Sequence, residues 1–269
     1  MKFKIYQVDA FTKELFRGNP AAVIPLESWL DYDTMQKIAL ENNLSETAFF
    51  VKEEKHYHIR WFTPAIEVPL CGHATLASSF VIFNYIEPQL NEIRFQSKSG
   101  ELIITREGEL ISLNFPANVP AVIEPPDELL KLLPIKPLEV LFNQSFVAVF
   151  NSEDEIRTMK PDLKALAEID ADGLIITAPG NEVDFVSRYF VPSAGIDEDP
   201  VTGYAHTLLT PYWSNRLNKT ELHALQVSKR SGELFLKNLE NNRVLISGAA
   251  VLYMIGELFI SENHDIKLL

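Results

Sequence analysis

Apolar and polar residues along the chain alternate in short bursts more often than they recur at helical spacing. Period-two, β-branched and aromatic runs predict strands at Phe3–Phe11, Ala21–Ile24, Thr47–Val51, Tyr57–Phe62, Glu92–Gln96, Glu101–Arg106 and Leu110–Phe115. A second set follows at Ser145–Val149, Gly173–Ala178, Asp184–Phe190, Leu225–Lys229, Leu234–Lys237, Arg243–Ser247 and Ala250–Leu258. Helical periodicity is scarcer. Tyr32–Asn42 is amphipathic through Met35, Ile38 and Ala39, and Asp162–Ile169 reads the same way after Pro161. Thr75–Ile86 and His206–Leu217 are apolar almost all round, the pattern of helices enclosed by other structure. Many strands, two enclosed helices and no regular βα alternation predict an α+β fold.

The pattern also repeats. Arg60-Trp61-Phe62-Thr63-Pro64-Ala65 and Arg188-Tyr189-Phe190-Val191-Pro192-Ser193 match as Arg-aromatic-Phe-x-Pro-small, each ending a strand run that precedes an enclosed helix. Upstream of both lie a strand, an amphipathic helix and another strand. The chain therefore reads as two similar domains, 1–117 and 118–251, related by a pseudo-twofold axis, with the last strand within 252–269 a candidate to join the first. Counted without a gap, Cys71 stands eleven residues past Arg60 and Asp199 eleven past Arg188. That count makes the two positions equivalent and puts them on opposite walls of one cleft, a usual place for a small-molecule site.

The 269 residues, 46% of them hydrophobic and 23% charged, exclude disorder and collagen-like or coiled-coil architectures. With 24 basic against 37 acidic side chains the formal charge is −13, which argues against nucleic acid and against an anionic membrane surface as partners. Thr75–Ile86, the most apolar stretch, is too short for a membrane span. A single cysteine, Cys71, allows no internal disulfide and no Cys-rich zinc cage. The N-terminal segment has no signal-peptide pattern, so the expected compartment is the cytoplasm.

Candidate chemistry gathers at three places. Cys71-Gly72-His73-Ala74-Thr75 opens an apolar helix whose free amides and dipole favour a bound carboxylate and, by the same field, a Cys71 thiolate. A lone cysteine is equally a buried small residue, and His73 and His206 are equally core or helix-end histidines. In Ile196-Asp197-Glu198-Asp199-Pro200-Val201-Thr202-Gly203 three acids precede a proline, which reads either as a capped helix start or as a site. Calcium-loop spacing is missing, and no metal is expected. Asn43-Leu44-Ser45-Glu46-Thr47 places a glutamate at the mouth of an apolar strand, where desolvation would raise its pKa toward acid/base use. Gly18-Asn19-Pro20 reads as a turn feeding a strand.

Four blocks, in order along the chain, resemble the phenazine-biosynthesis PhzF-like family of the diaminopimelate epimerase-like superfamily. They are Val8-Asp9-Ala10-Phe11-Thr12 with Gly18-Asn19-Pro20-Ala21-Ala22-Val23, Ser45-Glu46-Thr47-Ala48-Phe49, Cys71-Gly72-His73-Ala74-Thr75, and Glu198-Asp199-Pro200-Val201-Thr202-Gly203-Tyr204-Ala205-His206. The resemblance implies two similar domains, each a β-sheet rolled around a central helix, with the active site between them. It implies a homodimer and a biosynthetic, cofactor-independent isomerase acting on a small carboxylate-bearing substrate, with Glu46 as acid/base and His73 and Asp199 assisting. Asn19, Ser45, Cys71, Gly72, Thr202, Gly203 and Tyr204 are the implied substrate-binding positions. Tyr204 departs from the small residue common there in the family, so the substrate does not transfer. A racemase using Cys71 and Asp199 and a non-catalytic binding protein are the competing readings.

Overall fold

The computed structural model describes residues 1–260 and contains, among them, 18 strands and six α-helices. The first half runs β1 (Lys2–Ala10), β2 (Asn19–Leu26), α1 (Tyr32–Asn42), β3 (Glu46–Lys52), β4 (Tyr57–Phe62), β5 (Glu67–Val68), α2 (Gly72–Val81), β6 (Glu92–Ser97), β7 (Gly100–Glu107) and β8 (Leu110–Pro116). The second opens with β9 (Ala121–Ile123), α3 (Asp127–Leu132), β10 (Glu139–Asn143), β11 (Ser145–Val149), α4 (Glu153–Thr158), α5 (Leu163–Leu166) and β12 (Leu174–Pro179). It continues through β13 (Phe185–Val191), β14 (Ile196–Asp199), α6 (Gly203–Leu217), β15 (Glu221–Gln226), β16 (Gly232–Leu239), β17 (Arg243–Gly248) and β18 (Ala250–Phe259).

The halves repeat pairing by pairing. In the first, β1–β2 is antiparallel, β2–β3 parallel, β3–β4 and β4–β5 antiparallel, β4–β6 parallel, and β6–β7 and β7–β8 antiparallel. The same series recurs as β10–β11, β11–β12, β12–β13, β13–β14, β13–β15, β15–β16 and β16–β17. β8 pairs with β17 and joins the two sheets. Each half also receives a strand from beyond the other's end. β18 leaves β17 and runs antiparallel to β1 along its whole length, while short β9 leaves β8 for β10. The final strand thus lies on the sheet of the first half, and residues 261–269 fall outside the described residues.

The two apolar helices are enclosed, as their composition requires. α2 buries every residue from His73 to Ser79, and α6 buries Leu208, Leu209 and Trp213 in the same core as Leu76, Trp61 and Phe95 of the first half. Satellite cores lie beneath α1 (Met35, Phe49, Phe62) and beneath α3 to α5 (Leu129, Ile156, Leu166). α1 has the span its periodicity predicts, because Asp31 Oδ1 accepts from Thr34 N–H at 2.9 Å and Asn43 closes it in the left-handed region (φ 48°). No helix among the described residues is long and apolar enough to cross a membrane.

Several boundaries differ from the sequence expectation. α2 starts three residues early, at Gly72, and continues past Val81 as one π-helical turn, Ile82–Ile86. α6 starts at Gly203 and tolerates Pro211 because the carbonyl it leaves without a donor, Thr207, accepts from Asn118 N–H at 3.1 Å. Of Asp162–Ile169 only four residues are α-helical, with Asp162 capping Lys164 and Ala165. The strand expected at Leu225–Lys229 lies at Glu221–Gln226 instead. Leu222 and Ala224 supply its inward positions, and Ser228 turns the chain by accepting from Ser231 N–H. β5, β9, β10, β14, α3 and α4 have no counterpart in the sequence reading.

Candidate active site

The enclosed helices meet start to start. A Cβ added at Gly72 would stand 3.4 Å from Gly203 Cα, and the reciprocal distance is also 3.4 Å. Neither start is closed by a side-chain cap, so first-turn amides and both helix dipoles are turned toward one cleft of about 780 Å³. Its walls include Glu46, Cys71, Gly72, His73, Asp199, Thr202, Gly203 and Tyr204. Among the described residues, no lysine or arginine lines it.

The frame behind this cleft corrects the ungapped count. Arg60 grips Glu67 through Nε at 2.8 Å and Nη2 at 2.9 Å, and Arg188 grips Glu198 in the same fork at 2.7 and 2.9 Å. The paired glutamates stand seven residues after one arginine and ten after the other. The extra residues form a 3₁₀ turn, Pro192–Ala194. Register then makes Asp199 the counterpart of Val68, since they face Tyr189 and Trp61, and makes Thr202 the counterpart of Cys71 as N-cap. Cys71 and Asp199 are not equivalent. Nor do the three acids begin a helix: Asp197, Glu198 and Asp199 end strand β14, and the cap is Thr202.

The polar groups form a chain across the two halves. His73 Nε2 lies 3.0 Å from Glu46 Oε2, and its Nδ1 lies 3.5 Å from Cys71 Sγ and 3.1 Å from Asn19 Nδ2. Asn19 Nδ2 also donates to Asp199 Oδ1 at 2.8 Å and to the Val201 carbonyl at 2.9 Å. Asn19 is fully buried behind the wall, so it fastens His73 to Asp199 and does not line the cleft. Ser45 does not line it either. Asp199 Oδ2 accepts from Thr202 Oγ1. Buried Gln226 completes the loop, accepting from Thr202 N–H at 2.8 Å and donating to the Asp199 carbonyl at 2.8 Å.

Burial pushes the Asp199 carboxyl up to about 6, with His73 opposing and Glu46 adding to the rise. Burial works against charge on His73, but Cys71 and Glu46 beside it outweigh that loss and hold its pKa well above the ordinary value. The Cys71 thiol does not follow the helix-terminus expectation. Desolvation, reinforced by Glu46, pushes it up to about 11, so near neutral pH it is a thiol. His206 is fully buried behind the wall. Burial lowers it to about 4, and its neutral Nδ1–H donates to the Thr202 carbonyl at 2.7 Å. Glu46, Cys71 and His73 lie close enough to be considered for a metal. The carboxylate meets one ring nitrogen and the thiol the other, an arrangement that serves proton passage better than shared coordination of one ion.

Sequence reasoning missed the supports. Arg230 donates to Gly18 O and Asp9 Oδ1, both at 2.8 Å, and Gly18 N–H donates to the Ser231 carbonyl at 2.7 Å, which clamps the Asn19 turn to the other half. Gly18 sits at φ 64°, where a Cβ would strike the Ala10 carbonyl at 2.1 Å. Asp9 carried a readable signal, an acid among Tyr6, Val8 and Ala10 on an inward strand; Gln226 carried none. Tyr204 keeps to the wall: its phenol donates to the Asn143 carbonyl at 3.2 Å, and its ring lies 6.2 Å from that of Tyr189.

Comparison with known proteins bears on the family and the fold. The family model described as phenazine biosynthesis-like protein, PhzC-PhzF, matches residues 8–256. An uncharacterized isomerase of Pseudomonas aeruginosa is 47% identical over 260 residues, 97% of this chain and 100% of that protein. The crystal structure of a PhzF-family protein from Enterococcus faecalis shares 47% identity over 97% of this chain and 100% of its own, with a TM-score of 0.94. A hydroxyproline epimerase from Agrobacterium vitis, 10% identical with a TM-score of 0.60 over 96% and 92% of the two chains, shows the shared epimerase-like fold alone. The chain belongs to the phenazine biosynthesis-like PhzC-PhzF family, in which close relatives carry the name isomerase.

Proposed function

We propose that this protein is a cofactor-independent isomerase that moves a proton between carbons of a small, unsaturated, carboxylate-bearing substrate, with Glu46 as the acid/base. The observation that carries this reading is the Glu46 carboxylate on the cleft wall, 3.0 Å from His73 Nε2. Glu46 takes a proton from one carbon and returns it to another on the same face. The electron pair left behind is taken up by the substrate's own conjugation. His73 Nε2 stands at ion-pair distance from Glu46 Oε2 without an aligned hydrogen bond, so its positive charge steadies the carboxylate while leaving it free to act. Asp199, with a pKa near the working range, holds or yields a proton on the opposite wall. The amides at the starts of α2 and α6 receive the substrate carboxylate and stabilise negative charge as it develops.

A racemase using Cys71 and Asp199 fits less well. The thiol is pushed up to about 11, and Thr202, not Asp199, occupies the position that mirrors it. The Tyr204 phenol, which departs from the family's small residue, lies against Asn143 and Tyr189 and leaves about 780 Å³ of cleft for a substrate. Proton NMR in D₂O with a panel of dihydroaromatic carboxylates and cyclic enamines tests the proposal. The expected result is exchange at a vinylogous carbon that falls about 10²–10⁴-fold in Glu46→Gln while the fold is retained. Undiminished turnover by that variant would overturn it.

A further inference from the structure

A second cluster of ligating side chains lies at the other end of β3 from Glu46. Beyond Lys52 the chain makes a tight turn, closed by Glu53 N–H donating to the His56 carbonyl at 2.8 Å, and β4 then carries His58 back. The Glu53 carboxylate spans two imidazoles, with Oε2 2.8 Å from His56 Nε2 and Oε1 3.4 Å from His58 Nδ1. The rings are 5.7 Å apart and inclined at 70°, with a nitrogen of each turned to the same carboxylate. One ligand atom from each residue lies within 4.8 Å of the others. Among the described residues, these two histidines are Glu53's only ion-pair partners.

We propose that Glu53, His56 and His58 form an exchangeable surface site for a divalent ion of the Zn²⁺, Cu²⁺ or Ni²⁺ class. Bonds of about 2.0–2.1 Å at tetrahedral angles set neighbouring ligand atoms about 3.3 Å apart. The two carboxylate–imidazole contacts, 2.8 and 3.4 Å, bracket that edge. Two imidazoles with one carboxylate select these metals over Mg²⁺ and Ca²⁺, which take all-oxygen shells. All three ligands come from six consecutive residues on a closed turn, so little chain entropy remains to be lost on binding. Glu53 and His58 are 44% and 45% exposed, which leaves water the remaining coordination positions and the ion free to exchange. The spacing Glu-x-x-His-x-His, with charges balanced on a solvated hairpin, shows why this cluster reads in sequence as ordinary surface.

The site is independent of the cleft, and its test does not require activity. Calorimetric titration of the full chain with ZnCl₂ is expected to show one ion per chain, and one equivalent of Cu²⁺ to give an EPR spectrum with coupling to two nitrogens. Zn²⁺ is also expected to raise the melting temperature, as binding to the native state requires. The double variant His56→Ala/His58→Ala should weaken Zn²⁺ binding at least about tenfold, since losing even an outer-shell partner of a metal site costs that much. Cys71→Ser should bind Zn²⁺ as the parent does. No binding by the parent, unchanged binding by the double variant, or loss of the ion in Cys71→Ser would each overturn the assignment.

Discussion

The starts of α2 and α6 share a frame and differ in chemistry. Both have a glycine at the first helical position, an Arg–Glu fork behind them, and a side chain four residues past the cap that bonds the cap carbonyl. Thr75 Oγ1 reaches Cys71 O at 2.5 Å, and His206 Nδ1 reaches Thr202 O at 2.7 Å. On the α2 side the ionisable pair His73 and Glu46 faces the cleft beside the helix start. On the α6 side the helix start offers a hydroxyl, and the acid comes from the end of β14, three residues upstream. The repeated parts are the supports; the reactive groups sit at positions that are not equivalent. The ungapped count pairs Cys71 with Asp199, whereas strand register pairs it with Thr202.

Asp199→Asn is the most severe way to break this comparison. It removes the acid held beside the start of α6, and turnover is expected to fall about 10²–10⁴-fold. Its effect on stability runs the other way at high pH. The folded-state pKa of about 6 exceeds the free value, so the folded protein binds the proton more tightly between roughly pH 4 and 6, and stability falls as pH rises through that window. Asn lacks this penalty, so melting curves should favour the variant more at pH 8 than at pH 4; an equal difference at both would mean that Asp199 is not held protonated by burial.

A milder probe is Cys71→Ser, expected to reduce turnover by about tenfold or less, well short of a lost acid or base. Because the native thiol titrates near 11, iodoacetamide at pH 8 should label it far more slowly than in the unfolded chain. Rapid native labelling that stops turnover would restore the thiol as a base. The smallest effect belongs to Tyr204→Phe, which loses one bond to Asn143 O, worth about 1 kcal/mol or about 2–4 °C of melting temperature. Its measurable consequence should be a changed KM with kcat retained. A collapse of kcat would place the phenol among the reacting groups.

Much of this arrangement was legible in the sequence, and the remainder was hidden for definable reasons. α1 could be bounded to the residue because Asp31 and Asn43 are local signals. The enclosed helices were visible as apolar stretches, but their starts were not, because Gly72 and Gly203 are fixed by meeting each other across the chain. Cys71, His73, Glu46 and Asp199 all line the cleft, as the motifs suggested. Asn19 does not, since its amide is consumed by His73, Asp199 and Val201. Gln226 and Arg230 act through partners more than twenty residues away, and no local pattern announces such contacts.

The exchange of terminal strands bears on how the protein is made. β1 is made long before β18, Ala250–Phe259, its partner along all of Lys2–Ala10. Until β18 has been made the β1 edge stays open, a template for pairing with any neighbouring nascent chain. A contact closed over such a separation folds late and slowly, and it leaves the first half without a finished sheet of its own. Cutting the chain between β9 and α3 should thus yield two fragments that each await a strand from the other, β18 for the first and β9 for the second, making this fold a natural candidate for reassembly from split pieces.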